Sequence, residues 1–438
     1  MSIQSPSLWN SHHQLAIDLV SGDSKRDEIE IQALLGRCPV CLHEGRTHLI
    51  ELPGVPILCH RLWNDKASAR NAKRGSIQLV ICEQCGNIYN KLFDPGPIQY
   101  DENYNNSLSY SAEHRKYLEK LSRDLVKRFR LTTGLVIEIG CGGGFLLRYM
   151  AEQFGVKAVG FDPGTTNRLE HFESGGSVQL IKGFFASAKG LAPSNLVICR
   201  HLLEHLPAPW ALLQQIRNRH QSNRSRIYIE VPNGDRILSP TGLWDLIYEH
   251  VSHFTMNSLL YLMGSQGFRV LDCGTSYGEQ YIWLIAESGH SSVRLSTEDG
   301  AIDVGSLDHL KVLAECGKLL HRWGAEWNRI GLWGAGSKGI TFANLLDPSA
   351  EILSLFDINP NKWNRYISRT GHRIRPPSEI RSVDPTIVLV MNPLYMREVS
   401  QIVGELSPTA RVIDAAQLMS EIPENQHSDR IGQLQSQN

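Results

Sequence analysis

Short apolar runs, each followed by a glycine-rich or polar turn, recur along the chain from about residue 135 to residue 390. Leu135–Ile139 is one such run, and the others lie at 156–163, 196–199, 227–231 and 386–390. Short runs rich in valine and isoleucine are typical of strands that are buried on both faces of a parallel sheet. The pattern therefore predicts an α/β fold with strands in two separate units.

Between the apolar runs, the spacing of the hydrophobic residues changes to that of helices. Leu118, Leu121 and Leu125, for example, recur on one face of a helix. The helices predicted in this way lie at about 112–130, 256–266 and 306–323. Two further runs, 268–273 and 280–287, are predicted to be an antiparallel strand pair that closes the first sheet.

The turn after the first strand is the strongest candidate for cofactor binding. Gly140, Gly142 and Gly144 separate this strand from a helix, and glycines allow the backbone to turn sharply and approach a ligand closely. No Gly-Lys-Ser/Thr follows, which excludes a phosphate loop. Asp162 ends the next strand, where an acid can accept hydrogen bonds from both ribose hydroxyls. The alternative for this acid is a helix cap.

The same corner resembles the first motif of class I S-adenosylmethionine-dependent methyltransferases, in the residues Leu-Val-Ile-Glu-Ile-Gly-Cys-Gly-Gly-Gly from Leu135. The resemblance implies S-adenosylmethionine as the cofactor and places Glu138 near its methionine end. Cys141 in the turn is included in the predicted cofactor site. Arg200 is included because it ends the run at 196–199, and ligands bind at the carboxyl ends of strands in open α/β sheets.

Two Cys-x-x-Cys pairs precede this unit. Cys38 and Cys41 form the first pair, and Cys82 and Cys85 form the second. Each pair can present two thiolates to one tetrahedral zinc ion, although the long gap between the pairs requires an insertion. The alternative is four unrelated thiols. A closed site of four cysteines is structural, since it leaves no open position for catalysis, and Cys59 is predicted to take no part in it.

Composition narrows the functional classes. The 438 residues carry a net charge of −1 and a pI near 7.0, which argues against a nucleic-acid partner because such proteins usually present a basic face. No run of about 18 apolar residues and no signal-peptide core is found, so we predict a cytoplasmic protein without a membrane partner. Nine cysteines in such a chain favour thiols or metal ligands over disulfides.

The densest group of ionisable side chains lies in the stretch 243–255. Its centre, Tyr248-Glu249-His250, suits methyl transfer to carbon, which first requires removal of a proton next to a carbonyl. We predict that His250 is the base, that Glu249 or a neighbour orients it, and that a phenol such as Tyr248 or a second imidazole holds the enolate oxygen. His205 is a further catalytic candidate; the alternatives are a helix cap for His205 and a buried polar turn for the stretch.

Two further segments are candidates for binding a substrate or a cofactor. The polar, aromatic loop 100–111, which contains Tyr104, is predicted to be either a substrate lid or an ordinary loop that leads into a helix. Gly334, Gly336 and Gly339 repeat the strand, glycine turn and helix pattern, and Asp357 follows about 20 residues later, as a dinucleotide site requires. Considered alone, this second unit could bind NAD.

Taken together, the motifs resemble the sugar C-methyltransferases of natural-product and surface-glycan pathways over about residues 35–420. The shared motifs are the two Cys-x-x-Cys pairs, Gly-Cys-Gly-Gly-Gly, Leu-Leu-Glu-His-Leu-Pro, Tyr-Glu-His-Val-Ser-His-Phe-Thr, Trp-Gly-Ala-Gly-Ser-Lys-Gly and Phe-Asp-Ile-Asn-Pro. The resemblance implies methylation of C3 of a thymidine-diphosphate 4-keto-sugar, zinc in the first unit, and a C-terminal unit that helps to bind the nucleotide sugar rather than NAD.

The resemblance also implies residue roles. His250 would be the base within a Glu249–His250 pair, His205 would contact the reacting sugar, and Tyr104 would correspond to a lid tyrosine. One position departs from the family, which has a tyrosine where this chain has Ile247. The departure leaves open which group holds the enolate oxygen and which sugar, or other carbonyl or hydroxyl substrate, is methylated.

The predicted fold is α/β, with a class I methyltransferase Rossmann-like core, a small N-terminal zinc-binding domain and a second, C-terminal Rossmann-like domain. The predicted divisions are a mobile leader at 1–30, the zinc-binding domain at 31–98, the methyltransferase core at 99–290, the C-terminal domain at 291–423 and a mobile tail at 424–438. Two rival functions are an RNA methyltransferase, which the charge balance disfavours, and an NAD-binding protein.

Overall fold

The computed structural model describes residues 36–98, 103–131, 134–185, 193–220, 225–238, 240–288, 329–346, 352–415 and 417. The predicted leader, the predicted tail and the helix predicted at about 306–323 lie outside the described residues. None of the described helices combines the length and the apolar character that crossing a bilayer requires. The cytoplasmic location stays a prediction.

An antiparallel sheet forms the N-terminal part of the described chain. Its elements are β1 (Arg46–Pro56), β2 (Leu62–Trp63), α1 (Lys66–Arg70), β3 (Arg74–Cys82) and β4 (Ile88–Asn90). Strands β1, β3 and β4 pair in that order. Each Cys-x-x-Cys pair lies next to this sheet: the first precedes β1, and the second occupies the turn between β3 and β4.

A mixed sheet of eight strands follows. Its strands are β5 (Leu135–Ile139), β6 (Lys157–Asp162), β7 (Arg168–His171), β8 (Ser177–Lys182), β9 (Leu196–Arg200), β10 (Arg226–Pro232), β12 (Phe268–Ser276) and β13 (Tyr281–Ser288). The order across the sheet is β12-β13-β10-β9-β5-β6-β8-β7. The five strands from β10 to β8 are parallel, whereas β13 runs antiparallel between β10 and β12. The antiparallel pair predicted at the end of this unit is therefore confirmed.

Four helices cover this sheet, and each agrees with the spacing of its apolar residues. They are α2 (Ala112–Phe129), α3 (Phe145–Phe154), α4 (Pro209–His220) and α5 (Met256–Ser265). In α2, Leu118 and Leu125 are buried. A capping box at Thr255 and Ser258 begins α5, because the two side chains satisfy backbone donors that a helix start leaves unpaired. Just before it, β11 (Ser252–His253) joins the N-terminal sheet by pairing with β4.

A second sheet of five parallel strands is formed by the C-terminal residues. Its elements are β14 (Ile330–Trp333), α6 (Ser337–Leu345), β15 (Ile352–Phe356), β17 (Ile374–Arg375), α7 (Ile380–Val383), β18 (Ile387–Val390), α8 (Met396–Leu406) and β19 (Arg411–Asp414). The strand order is β17-β15-β14-β18-β19. The prediction of an α/β fold with two sheets rich in parallel strands is confirmed.

Contacts in three places join the sheets. The pairing of β4 with β11 ties the N-terminal sheet to the central unit. Strand β2 pairs with β16 (Tyr366–Ile367) of the C-terminal unit. The turn between β12 and β13 meets the C-terminal unit through a Tyr277–Tyr395 hydroxyl contact of 2.7 Å and a reciprocal amide pair between Gln280 and Asn392. Residues at the carboxyl ends of parallel strands from both the central and the C-terminal sheet line a common cleft.

Candidate active site between the two parallel sheets

The cleft is built from all three parts of the chain. Strand β10 and the β12–β13 turn contribute Pro232, Gln280 and Tyr281, and the loop before α2 contributes a further wall. The C-terminal unit contributes its glycine turn and the residues after β15. The lining residues on which the site description depends are His60, Asn106, Tyr110, His250, His253, Tyr281, Gly334, Gly336, Lys338, Asp357 and Asn359.

Imidazoles are concentrated at one end of the cleft. The ring centroids of His205 and His250 lie 4.8 Å apart, and those of His250 and His253 lie 5.7 Å apart. His60, from the segment between β1 and β2, lines the same cleft. His250 is half-buried and accessible from the cleft, whereas His60 and His253 are buried. The structure thus places the predicted base, His250, on the cleft beside the second predicted histidine.

Burial and mutual repulsion keep these imidazoles neutral. Burial, helped by the neighbouring His205 and His253, holds the pKa of His250 well below its ordinary value. Burial also lowers the pKa of His205 to about 4 and that of His253 to about 3. A neutral imidazole carries a lone pair that can accept a proton, so His250 is in its basic form at neutral pH.

The geometry also fixes the tautomer of His205. Its Nδ1 lies 3.1 Å from the backbone oxygen of Glu249. A carbonyl oxygen can only accept a hydrogen bond, so Nδ1 carries the proton and the neutral ring has its lone pair on Nε2. The 3₁₀ turn Leu203–His205, directly after β9, brings this histidine to the carboxyl edge of the central sheet.

Glu249 orients its neighbours in a way that the sequence did not indicate. Its carboxylate is 0% exposed and accepts a hydrogen bond of 3.1 Å from the backbone N–H of Cys59. Tyr104 also donates to this carboxylate. Burial raises the pKa of Glu249 to about 7, while these hydrogen bonds act in the opposite direction. The Glu249 carboxylate therefore holds two segments in place: the loop before α2, through Tyr104, and the segment after β1, through Cys59. The backbone oxygen of Glu249, rather than its carboxylate, orients His205.

Tyr248 does not reach the cleft. Its side chain is 2% exposed, its hydroxyl accepts a hydrogen bond of 2.9 Å from the backbone N–H of Asp94, and its ring stacks on Phe93 with centroids 5.6 Å apart. Ile247, which takes the place of the family tyrosine, is buried in a cluster with residues of the C-terminal unit. The expectation that Tyr248 holds an enolate oxygen is corrected accordingly: the side chain points into the N-terminal sheet.

The predicted lid region lies over the cleft in part. Its residues Asn106, Ser107, Leu108, Tyr110 and Ser111 line the cleft. Asn105 and Tyr110 accept hydrogen bonds from the amides of Asn359 and Asn361. Tyr104 lies at the base of this loop, paired with Arg61 and edge-on to the ring of His60. The loop thus bridges the central and C-terminal units, and Tyr104 acts on the cleft through Glu249 and His60.

The predicted cofactor corner has the geometry of a ligand cradle. Gly140, Gly142 and Gly144 all have φ between +51° and +75°, which L-residues with a Cβ rarely adopt. A Cβ on Gly142 would meet nothing within 4 Å, so the backbone is open on that side. The side chain of Cys141 turns the other way, against Gly160, so this residue offers the corner only its backbone.

Two acids flank this corner. Glu138 is 3% exposed, burial raises its pKa to about 8, and its Oε2 receives no hydrogen bond from the described residues. Asp162 accepts hydrogen bonds from the backbone N–H groups of Gly142 and Gly164, at 2.9 and 2.7 Å. An unpartnered buried carboxylate next to an open glycine turn fits a polar ligand that carries a donor to it.

Arg200 forms an ion pair with Glu230. Its Nε lies 2.9 Å from Oε1 of Glu230, and the other carboxylate oxygen, Oε2, accepts hydrogen bonds from the hydroxyls of Tyr117 and Tyr228. Glu230 is 0% exposed. Although burial raises the pKa of Glu230, the charge of Arg200 and the hydrogen bonds from His201 and Tyr117 together hold that pKa below its ordinary value. Arg200 thus acts on Glu138 across space, while its guanidinium is held by Glu230.

The Glu230→Gln substitution is expected to destabilise the fold by about 3–5 kcal/mol, because it leaves Arg200 buried without its counter-charge. Urea unfolding of the full chain measures this loss. The matched control is Glu279→Gln, which removes an exposed carboxylate in the neighbouring turn and is expected to change stability little. Equal stability of the two variants would contradict the assignment of Glu230 as the partner that holds Arg200.

The four predicted metal-ligand cysteines come together. The sulfur atoms of Cys38 and Cys85 are 3.5 Å apart, as are those of Cys41 and Cys82, and all four lie within 4.8 Å of one another. Sulfur atoms around one tetrahedral zinc ion, each at about 2.3 Å from it, have a similar spacing. Cys59 lies elsewhere, near Ser337 and Thr341 of the C-terminal unit.

The glycine turn of the C-terminal unit faces the cleft rather than a separate site. Gly334 and Gly336 line it, and a Cβ on either would meet nothing within 4 Å. The carboxylate of Asp357 accepts hydrogen bonds from the backbone N–H groups of Ala335 and Asn359, at 2.7 and 2.8 Å. Lys338 also lines the cleft and pairs with Asp245. The first turn of α6, which begins at Ser337, leaves backbone N–H groups without helical partners beside this turn, and Lys338 adds a cation to the same wall of the cleft.

Several cleft residues were not singled out from the sequence. His60 and Tyr281 stand alone in unremarkable segments, and no local signal distinguishes them. His253 was visible in the stretch around His250 but received no role. Their spacing in the sequence does not predict that these residues share a cleft, because β2, β11 and β13 bring them together only when the three sheets pack.

Comparison with known proteins identifies two segments. Residues 112–273 match the family model "Methyltransferase domain", and residues 309–408 match "C-methyltransferase C-terminal domain". These matches confirm the prediction of a class I methyltransferase core followed by a C-terminal unit of the C-methyltransferase type. They also support the prediction of a methyltransferase over that of an NAD-binding protein.

Similar curated proteins are methyltransferases. The chain is 26% identical over 251 residues to C-methyltransferase NovU of Streptomyces niveus, covering 55% of this chain and 58% of that protein. It is 34% identical over 88 residues to the ubiquinone biosynthesis O-methyltransferase of Aliivibrio fischeri strain MJ11, covering 18% of this chain and 36% of that protein. The alignments thus span less than two thirds of either relative.

Among solved structures, the plantazolicin methyltransferase BpumL in complex with SAH is similar with 18% identity and a TM-score of 0.33. The match covers 41% of this chain and 88% of that chain.

Proposed function

We propose that the protein is an S-adenosylmethionine-dependent C-methyltransferase that methylates a carbon next to a carbonyl group. The observation that carries the proposal is the position of His250: a neutral imidazole on a cleft between the methyltransferase core and the C-terminal unit. The NovU relative is named a C-methyltransferase, which agrees in reaction type. We propose the sequence-based division into domains at 31–98, 99–290 and 291–423 as its framework.

The residues of the corner after β5 fit S-adenosylmethionine. Gly140, Gly142 and Gly144 would let the backbone approach the cofactor, and Asp162 would accept hydrogen bonds from its ribose hydroxyls. The unpartnered oxygen of Glu138 would accept a hydrogen bond from the methionine ammonium group. When bound, the cofactor supplies an electrophilic methyl group.

The Asp162→Asn substitution is expected to weaken binding of S-adenosylhomocysteine by about 10–100-fold, since each hydrogen bond to a charged group contributes about 1.5–3 kcal/mol. Calorimetric titration measures the change, and turnover at saturating cofactor is expected to fall far less than affinity. Asp124→Asn, on the exposed face of α2, is the matched control. Unchanged affinity in the Asp162 variant would place the ribose elsewhere.

In the proposed reaction, His250 removes the proton from the carbon next to the substrate carbonyl. The electron pair of the broken C–H bond moves into the enolate, and the proton moves to the imidazole. His205, oriented through its Nδ1–H by the backbone of Glu249, lies beside His250 and is positioned to receive the proton. Burial keeps the rings of His205 and His250 neutral before the reaction, so each ring can accept a proton.

The partner of the enolate oxygen is proposed to be an imidazole N–H. With Tyr248 directed into the N-terminal sheet, the remaining donors of suitable type at this end of the cleft are His60 and His253. Either ring is buried, so a hydrogen bond to a developing negative charge would be strong. This assignment takes the place of the phenol expected from the sequence.

The substrate is proposed to be a nucleotide-linked 4-keto deoxysugar. Its nucleotide would lie against the C-terminal glycine turn, where backbone N–H groups and Lys338 face the cleft, and its sugar would lie against His250. The 4-keto group would make the C3 proton acidic. A different carbonyl substrate, or a hydroxyl, is the alternative within the same reaction class.

Zinc is proposed to occupy the site of Cys38, Cys41, Cys82 and Cys85. The ion would stabilise the fold only, since four thiolates leave no position for substrate.

The test of the proposed function is a two-step calorimetric titration. S-adenosylhomocysteine is titrated first, and thymidine diphosphate is then added to the loaded protein. Binding of both is expected, followed by methylation of a 4-keto sugar in a screen. Binding of the first ligand alone would remove the nucleotide sugar from the proposal. Binding of neither, together with binding of NAD, would contradict the proposed activity.

A further inference from the structure

A buried carboxylate beside the two catalytic imidazoles has no role in the reaction proposed above. The side chain of Glu204 is 1% exposed, and neither of its oxygens receives a hydrogen bond from another described residue. Nδ1 of His201 lies 3.8 Å from Oε1, which exceeds hydrogen-bond distance. Buried carboxylates are rarely left without a partner, because the cost of removing them from water is large. The lack of a hydrogen-bond partner for the Glu204 carboxyl group among the described residues indicates that this group binds a ligand.

Two imidazoles complete a donor set around this carboxylate. One carboxylate oxygen of Glu204 and one ring nitrogen each of His205 and His250 lie within 4.8 Å of one another. His205 already has the orientation that metal ligands usually show: its Nδ1–H donates to a backbone carbonyl, and the lone pair is on Nε2. The sequence provides two of the three donors as adjacent residues, while the third comes from the turn before β11.

We infer that Glu204, His205 and His250 bind a divalent transition-metal ion at the wall of the cleft. Two imidazoles and one carboxylate suit ions such as zinc and cobalt(II), and they differ from the sulfur donors that the four cysteines present. Such a set of three protein ligands leaves further coordination positions open, and His250 faces the cleft.

The inference has a consequence for catalysis, which rests on the proposed role of His250. A ring nitrogen whose lone pair is bound to a metal cannot accept a proton. Metal binding at this site and proton removal by His250 therefore exclude each other. Transition-metal ions would inhibit methyl transfer, and a chelator would restore it, while the cysteine site keeps its own ion.

Cobalt(II) is the probe because its absorption distinguishes the two donor sets. Full-length protein with zinc at the cysteine site is titrated with cobalt(II) chloride in the absence of substrate. We expect one additional cobalt ion per chain, with weak visible bands and no thiolate charge-transfer band. The Glu204→Gln variant is expected to bind this ion at least about tenfold more weakly, the scale reached when even an outer partner of a metal ligand is lost.

The controls are His171→Gln and Glu173→Gln, which alter an exposed histidine and an exposed glutamate at the far edge of the central sheet. Both are expected to bind cobalt as the wild type does. Thermal unfolding checks that Glu204→Gln is folded, which is expected because the change keeps the size of the side chain and removes no hydrogen bond to another described residue. Absence of a second ion in the wild type, or equal affinity in Glu204→Gln, would overturn the inference.

The outcome also separates the inference from the proposed function. If cobalt binds in a Glu204-dependent way and inhibits methyl transfer, both stand. If it binds in this way without changing the rate, the competition fails and His250 is not the base, whereas the metal site stands. If no cobalt binds while methyl transfer is measured, the proposed function stands and the metal site falls.

Discussion

The His250→Ala variant is expected to lose about 10²–10⁴-fold in turnover, the range that general base catalysis contributes, while its affinity for S-adenosylhomocysteine stays the same. The separation is expected because His250 lies on the cleft wall formed with the C-terminal unit, whereas the proposed cofactor residues lie in the corner after β5. A matched His171→Ala variant, altered on the exposed edge strand, is expected to retain wild-type turnover.

Deuterium exchange distinguishes loss of the base from loss of substrate binding. With S-adenosylhomocysteine in place of the cofactor, the wild-type protein is expected to exchange the proton next to the substrate carbonyl for solvent deuterium. The His250→Ala variant is expected to bind the same 4-keto sugar without exchange, as followed by NMR. Exchange at the wild-type rate in this variant would assign the base to another residue, with His205 as the first candidate.

The pH dependence has a defined sign. Burial and the neighbouring imidazoles hold the pKa of His250 well below the ordinary value of 6.5, so its basic form persists to lower pH than that of an exposed histidine. The acid limb of kcat/KM is therefore expected below pH 6.5 in the wild type. A limb at or above that value would indicate that a different group must be deprotonated.

The Cys82→Ser variant is expected to lose the proposed zinc ion and several kcal/mol of stability, since a structural zinc site contributes about 10–16 kcal/mol of binding free energy to folding. Zinc per chain, measured by elemental analysis, and the Tm are both expected to fall. The matched control is Cys273→Ser, which changes an exposed cysteine of β12. Equal zinc content in the two variants would contradict a four-cysteine site.

The loss is also expected to reach the active site. The turn that carries Cys82 and Cys85 contacts the stretch after His250: the Asn87 amide donates to the Ser252 hydroxyl, and Thr255 donates to the Gly86 carbonyl. Strand β4 adds two residue pairs with β11. Hydrogen exchange of Ser252 and His253 is therefore expected to become faster in Cys82→Ser, and turnover is expected to fall. Unchanged exchange there would confine the role of the metal to the N-terminal sheet.

The sequence alone determined most strands of the central sheet, three strands of the C-terminal sheet, several helices and both glycine corners. The buried runs at β5, β9, β10 and β18 have few alternatives, because short stretches of valine and isoleucine between glycines and polar turns suit strands covered on both faces. Gly140, Gly142 and Gly144 are likewise recognisable from the sequence, because the turn requires positive φ angles at these positions and such angles favour glycine. The Cys-x-x-Cys spacing likewise predicts the four cysteines as metal ligands without knowledge of the fold.

The tertiary structure alone decided which polar side chains share the cleft. Tyr248, Glu249 and His250 are consecutive residues in a turn, and nothing in their sequence states where each points. Packing sends Tyr248 to Phe93 of the N-terminal unit, Glu249 to the backbone of Cys59, and His250 to the cleft. In a turn without a regular repeat, side-chain direction is set by whichever neighbours are already packed.

The same reason explains why His60 and the partnerless Glu204 were missed. The burial of Glu204 and its distance to His250 arise from the meeting of the turn after β9 with the turn before β11, which are far apart in the chain. Local sequence patterns predict the secondary structure of a residue, because backbone conformation depends largely on neighbours in the chain. The chemistry of a site depends on contacts between distant segments, and these exist only once the three sheets have come together.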